Sequence, residues 1–226
     1  MHMQKKAVIF DLFETLITEW GHEKYTKNQM CADLQIDRTA FDLYWDEKEE
    51  LRYTGGICFS DSIRYVCERC GMSCDDALLA KIIEKRKRTK AACFSCVQPE
   101  VYQLLEELKA RGMRLALCSN CSSEEVEVLR ESDICRYFDA IILSYAEGIR
   151  KPDARIYQLA AERLCVPIPA CVFVGDGGSH ELEGASAVGM TAVQAKWYTN
   201  QHPNKRDSMA GVFHAEEPGA VLQYLD

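Results

Sequence analysis

The stretch Ala7-Val8-Ile9-Phe10-Asp11-Leu12-Phe13-Glu14-Thr15-Leu16 sets four consecutive apolar residues directly against a carboxylate. A short continuous apolar run of this kind reads as a strand buried on both faces of a parallel sheet. Similar runs recur at 115–118, 140–143, 171–174 and, more weakly, 191–194. Helical apolar spacing fills the intervals at 100–111, 123–131, 154–164 and 181–188, with Gly112 and Gly189 punctuating the ends. Strands alternating with helices of about 10–15 residues imply βαβ units and an α/β fold with a doubly wound parallel sheet.

Residues 18–96 break this rhythm. They carry no convincing buried strand but show helix-like segments at 23–34, 39–51, 60–70 and 75–89, with starts at Ser60 and Asp75. The expected organisation is therefore a core of residues 1–17 and 97–226 interrupted by a four-helix insertion at 18–96. The lysine- and arginine-rich run at 81–90 reads as a solvated helix face. The polar stretch 200–207, with Pro203, reads as a surface loop, and no internal repeat or low-complexity tract is visible.

Composition narrows the class. Of 226 residues, 47% are hydrophobic, enough for a substantial core, yet nothing approaches the roughly 18 consecutive apolar residues of a membrane span. A formal charge of −8 argues against a nucleic-acid surface. Met1-His2-Met3-Gln4-Lys5-Lys6 leads into only four apolar residues before Asp11, which is not the pattern of a signal peptide. The expectation is a cytoplasmic protein acting on a small molecule, as a monomer or homodimer, with no nucleic-acid or membrane partner.

Twelve cysteines include three CxxC pairs, Cys67/Cys70, Cys93/Cys96 and Cys118/Cys121. The first two could form a four-thiolate zinc site. Cys67 and Cys70 lie in a segment of helical spacing without Gly or Pro knuckles, however, and residues three apart share a helix face. Buried reduced thiols acting as small hydrophobes are the expected state.

Four segments carry the chemistry, each at the C-terminal end of an expected strand, where ligands bind in doubly wound sheets. They are Asp11 through Leu16, Ser119-Asn120, Lys151-Pro152-Asp153, and Gly175-Asp176-Gly177-Gly178-Ser179. A carboxylate placed directly after a buried strand is costly unless it is paired or working. Singly, each segment could be a helix cap or a helix start; in this order and spacing they point to one site.

In these four motifs, in their strand contexts, and in the insertion between the first and second, the whole chain resembles the haloacid dehalogenase superfamily members that carry a helical cap. The resemblance implies a Rossmann-like core, a cap at 18–96, and a set of roles. Asp11 would be the nucleophile, forming a covalent aspartyl intermediate. Asp11, Asp176 and the main-chain carbonyl of Phe13 would hold Mg²⁺. Thr15, Ser119 and Asn120 would bind the transferring group, and Lys151 would balance its charge and that of Asp11.

Two departures from the family pattern bear on the reaction. Phosphatases of this type carry an acid two residues after the nucleophile, where Phe13 stands. Glu14 is adjacent, but extended backbone would turn its side chain away. Glu181 stands five residues after Asp176, where aspartate is common; it could hold a metal-bound water, pair with Lys151, or simply favour a helix N-terminus. The expected activity is Mg²⁺-dependent hydrolysis of a small phosphorylated metabolite. The alternatives are a metal-free 2-haloacid dehalogenase, which needs a cap arginine (Arg38, Arg52 or Arg64), and a phosphonatase, which needs a cap lysine (Lys24, Lys27 or Lys48). A non-catalytic binding module on the same scaffold ranks last.

Overall fold

The structure is a computed structural model that describes residues 4–201 and 207–225; residues 202–206 of the expected surface loop lie outside them. The chain begins with β1 (Ala7–Phe10) and then forms helices α1 (Lys27–Leu34), α2 (Arg38–Glu47), α3 (Glu49–Tyr53), α4 (Phe59–Arg69) and α5 (Asp76–Phe94). It continues with α6 (Pro99–Ala110), β2 (Arg114–Ser119), α7 (Ser123–Arg130), β3 (Ala140–Leu143), α8 (Ser144–Glu147) and α9 (Ala154–Arg163). The last elements are β4 (Cys171–Gly175), α10 (Glu181–Ala187), β5 (Thr191–Ala195) and β6 (Phe213–Ala215). No helix among the described residues is long and apolar enough to cross a membrane.

The six strands form one parallel sheet in the order β3-β2-β1-β4-β5-β6. β1 is central: Phe10 pairs with Leu117 of β2 on one side and Val174 of β4 on the other. Side chains alternate along a strand, so its four apolar residues serve both faces of the sheet. Val8 and Phe10 pack with Leu104, Leu105 and Leu108 of α6, while Ala7 and Ile9 pack with Ile156 and Tyr157 of α9 and Leu182 of α10. All four are fully buried, which is why the run is continuous rather than alternating.

Five helices, not the expected four, occupy residues 27–94, and they add no strand to the sheet. The segment expected to be helical at 39–51 breaks at Lys48, which caps both α2 and α3. α1 starts later than expected because Thr26 and Gln29 form a capping box, and α4 is capped by Cys58 rather than Ser60. Asp75 caps α5 as expected, accepting from Leu78 N. These helices have their own apolar centre, in which Phe41 stacks on Trp45 at 5.3 Å and Trp45 meets Phe59 edge-on at 5.7 Å. Cys67 belongs to this centre, whereas Cys93 packs into the cluster beneath the sheet, so the two CxxC pairs do not converge.

The basic run at 81–90 is not simply a solvated face. α5 lies on α7, and Lys90 is 5% exposed, with Nζ 2.7 Å from Glu19 Oε1 and 2.6 Å from Glu125 Oε1. Arg86 joins the same cluster, 3.2 Å from Glu124 and 3.1 Å from Glu125. The partners lie 38 and 39 residues away in sequence, so the helix's own pattern could not reveal them. Lys90 also sits over the Phe13 ring, 4.2 Å from its centroid, which ties α5 to the loop that carries Asp11.

Burial works against the Glu125 carboxylate, but Lys90 and Arg86 outweigh it and hold its pKa at about 2. A group depressed in the folded state contributes stability fully above its ordinary value near 4.5 and loses that contribution as pH falls towards 2. Lys90→Met should therefore cost about 3–5 kcal/mol at neutral pH, the loss expected when one member of a buried pair is removed. In chemical denaturation the deficit should shrink as pH drops below about 4.5. A deficit independent of pH would mean that lost packing, rather than the ion pair, is what was measured.

Candidate active site

The parallel register brings the C-terminal ends of β1, β2 and β4 side by side. Asp11 follows β1 and its N–H donates to Val174 O at 2.9 Å; Ser119 ends β2; Asp176 follows β4. Lys151 enters from the loop between α8 and α9, and Glu181 from the first position of α10. Asp11, Lys151, Asp176 and Glu181 are each less than 10% exposed.

Lys151 Nζ lies 2.5 Å from Asp11 Oδ1 and 2.5 Å from Glu181 Oε2. Burial disfavours the ammonium, but the two carboxylates outweigh that cost and raise its pKa well above the ordinary lysine value. The same burial raises Asp11, with Lys151 opposing and the Asp176 charge adding to the rise. Glu181 is pushed up to about 8 by burial and by Asp11, again against Lys151. Of the roles open to Glu181 in the sequence, the structure shows two together, the pairing with Lys151 and a place in the first turn of α10.

Ligand oxygens of Asp11, Asp176 and Glu181 all lie within 4.8 Å of one another, beside the Lys151 ammonium. Carboxylate oxygens gathered in this way are a donor set for a hard divalent cation. The donor set is all oxygen and so suits magnesium rather than zinc. No cysteine belongs to this acidic group.

Several groups hold the cluster in place. The Asn120 side chain brackets Lys151: its Oδ1 accepts from Lys151 N at 2.8 Å and its Nδ2 donates to Lys151 O at 3.0 Å. The Asn120 amide is thus engaged with the main chain of Lys151, at the wall of the cavity. Glu181 is held by Tyr157, whose hydroxyl donates to Glu181 O at 2.8 Å, and by Gly177 N, which donates to Oε1 at 3.2 Å. Asp176 Oδ1 accepts from Gly178 N at 2.9 Å. Gly175 is required by close approach, since a Cβ there would overlap Glu181 Oε1 and come within 2.7 Å of Cδ.

Thr15 and Ser119 are buried beside these groups with long internal contacts, Thr15 Oγ1 to Asp11 Oδ2 at 3.4 Å and Ser119 Oγ to Asn120 O at 3.5 Å. Contacts of that length leave both hydroxyls able to turn towards a ligand. Phe13 lines the cavity next to Asp11. Glu14 departs from the extended backbone expected of it: its φ is 57°, in the left-handed region, and its side chain also lines the cavity. That conformation costs about 1–2 kcal/mol for a residue with a Cβ. Two hydrogen bonds to its carboxylate oppose the cost, from Thr18 Oγ1 at 2.6 Å and Glu19 N at 2.9 Å.

The cavity has a volume of about 460 Å³. Of the six basic residues nominated from residues 18–96, it takes in Lys24 alone. Arg38 pairs with Asp42, Arg64 with Asp76, and Arg52 lies over the Trp45 ring at 3.8 Å. Lys27 pairs with Asp42 and Asp46, and Lys48 sits over Tyr65 at 4.3 Å. Glu19, Trp20 and Thr199 also line the cavity; they stand outside the four motifs, and no sequence pattern marks them.

Comparison with known proteins identifies the family. Residues 5–189 match the family described as haloacid dehalogenase-like hydrolase. The chain is 27% identical to a glyceraldehyde 3-phosphate phosphatase from Methanopyrus kandleri, over 97% of each chain. It is 26% identical to (S)-2-haloacid dehalogenase H-109 from Pseudomonas putida, over 81% of this chain and 82% of the other. Its fold matches the crystal structure of a HAD family enzyme from Bacteroides thetaiotaomicron in complex with magnesium and inorganic phosphate. That match has a TM-score of 0.61 at 17% identity, over 91% of this chain and 98% of that one.

Gly175→Ala tests the packing behind the cluster. The added methyl must displace the Glu181 carboxylate and release Lys151 from one of its two partners. Turnover should fall by about 10²-fold, the scale expected for a displacement of roughly 1 Å in a site, while the circular dichroism spectrum is retained. Unchanged turnover would show that the position of Glu181 does not matter to the reaction.

Proposed function

The chain belongs to the haloacid dehalogenase-like hydrolase family, and from that premise we propose that it is a magnesium-dependent phosphohydrolase acting on a small phosphorylated metabolite. The observation that carries this reading is the convergence of Asp11, Asp176 and Glu181, whose buried ligand oxygens all lie within 4.8 Å of one another beside Lys151. The phosphatase from Methanopyrus kandleri, alike over nearly its whole length, supports the same class of substrate.

Asp11 and Asp176, with the main-chain carbonyl of Phe13, would hold the magnesium ion, which when bound would offset negative charge on the carboxylates and the phosphoryl group. An Asp11 oxygen attacks phosphorus, forming an aspartyl phosphate as the bond from phosphorus to the ester oxygen breaks. The Thr15 and Ser119 hydroxyls donate to the phosphoryl oxygens, and Lys151 stabilises the charge that builds beside Asp11. Water then attacks phosphorus, releasing phosphate and restoring Asp11. Residues 18–96 would serve as a cap that excludes water from the first step and admits it to the second, turning about hinges near 18–21 and 94–99.

A second reading, 2-haloacid dehalogenation, is favoured by one feature. Phe13 cannot donate a proton, and a departing halide needs none. The Pseudomonas putida relative carries that activity in its name. Against this reading, Arg38, Arg52 and Arg64 all engage other groups away from the cavity, so the carboxylate of a haloacid would lack its arginine.

Hydrolysis of a phosphate ester that stops in excess EDTA and returns with Mg²⁺ is the expected result. Asp11→Asn should lower it below about a thousandth of wild type in a protein that still folds. With no acid at Phe13, rates across aryl and alkyl phosphates should rise steeply as the pKa of the leaving group falls. Dehalogenation of 2-chloropropionate that continues in EDTA, with no phosphatase activity, would establish the second reading instead.

A further inference from the structure

Two cations line the cavity among the described residues, and only one of them has a carboxylate partner. Asp11 and Glu181 share Lys151, and the Glu14 carboxylate accepts from Thr18 and from Glu19 N. Glu19 is paired with Lys90 at 2.7 Å. Lys24 is the second cation lining the cavity, and no carboxylate among the described residues lies within ion-pair distance of it. Its Nζ instead rests 3.5 Å from the centroid of the Trp20 ring, which also lines the cavity. Elsewhere in the helical segment Lys27 pairs with Asp42, Lys85 with Asp33 and Lys87 with Glu127. An unmatched ammonium held on an aromatic face at the wall of a cavity is a preorganised site for an anion.

We propose that Lys24, steadied by Trp20, binds a second anionic group of the substrate, so that the preferred substrates are phosphate monoesters carrying a carboxylate or a second phosphate a few carbons from the ester. The inference rests on the phosphohydrolase reading and deepens it. Lys151 is committed to Asp11 and Glu181, so Lys24 is left, among the described residues, to meet charge elsewhere on the ligand. It belongs to the segment joining the Asp11 loop to α1, at the edge of the helical region, and so sets selectivity without touching the reacting atoms.

The test compares three-carbon phosphates that differ only in the tail: glycerol 3-phosphate and glyceraldehyde 3-phosphate, with neutral tails, against 3-phosphoglycerate and glycerol 1,3-bisphosphate, with anionic ones. In wild type, kcat/KM should favour the anionic pair by about tenfold or more, as for a hydrogen-bonded charge contact, chiefly through KM. Lys24→Met should bring the ratio towards one, and Lys24→Arg should keep most of it. Equal kcat/KM for the two kinds of tail in wild type, or a preference that survives Lys24→Met, would overturn the inference while leaving the phosphohydrolase reading intact. Preference for glyceraldehyde 3-phosphate with borohydride fixing its aldehyde onto Lys24 would also overturn it, because Lys24 would then be a nucleophile. Failure of all four phosphates to turn over would remove the reading on which it rests.

Discussion

The structure depends on the cost of burying Asp11 at the end of its central strand. β1 can be central only if both its faces and both its edges are covered, and this leaves the residue that follows it almost without water. An isolated ionised carboxylate there would be expelled or protonated. Lys151 offsets the charge from 140 residues away, and Glu181 holds Lys151 from its other side. Much around them can be understood as keeping that arrangement in place: the Asn120 bracket, the hydroxyl of Tyr157 on Glu181 O, and the bare backbone of Gly175. A buried pair of this kind is weak support for stability as such. Its value lies in fixing a nucleophile beside a cation.

Most of the core could be read from the residues. Ala7-Val8-Ile9-Phe10 is apolar at every position because both faces of its sheet are covered, and the later runs follow the same logic. Asp11 stands out as a carboxylate placed directly after a buried strand, while the roles of Lys151, Asp176 and Glu181 are what the family resemblance implies; the parallel register brings the four together. The fold is legible because it follows from local pattern together with the rule that strand ends converge, and the cluster because that rule is joined to the family's motif order.

What escaped the sequence depends on contacts between distant segments or on local backbone. The basic run of α5 reads as a solvated face because Glu124 and Glu125 belong to another helix, and burial of Lys90 and Arg86 exists only once the two pack together. Glu14 reads as extended because no glycine announces its left-handed backbone, which Thr18 Oγ1 and Glu19 N support through its carboxylate. The break at Lys48 divides one apolar periodicity into two helices. Six basic residues of the helical segment were equivalent by spacing, and five are drawn to other partners, a choice made by tertiary structure alone.

If Asp11, Asp176 and Glu181 are the seat of a divalent cation, the ion should bind whether or not substrate is present. Titration of the purified protein with magnesium chloride, followed by calorimetry and by the thermal midpoint, tests it without reference to turnover. The account predicts one ion bound per chain and a midpoint that rises with magnesium concentration, since a ligand of the folded state alone stabilises it, with both effects lost in Asp176→Asn. Absence of binding heat with an unmoved midpoint, or binding that persists in Asp176→Asn, would contradict it.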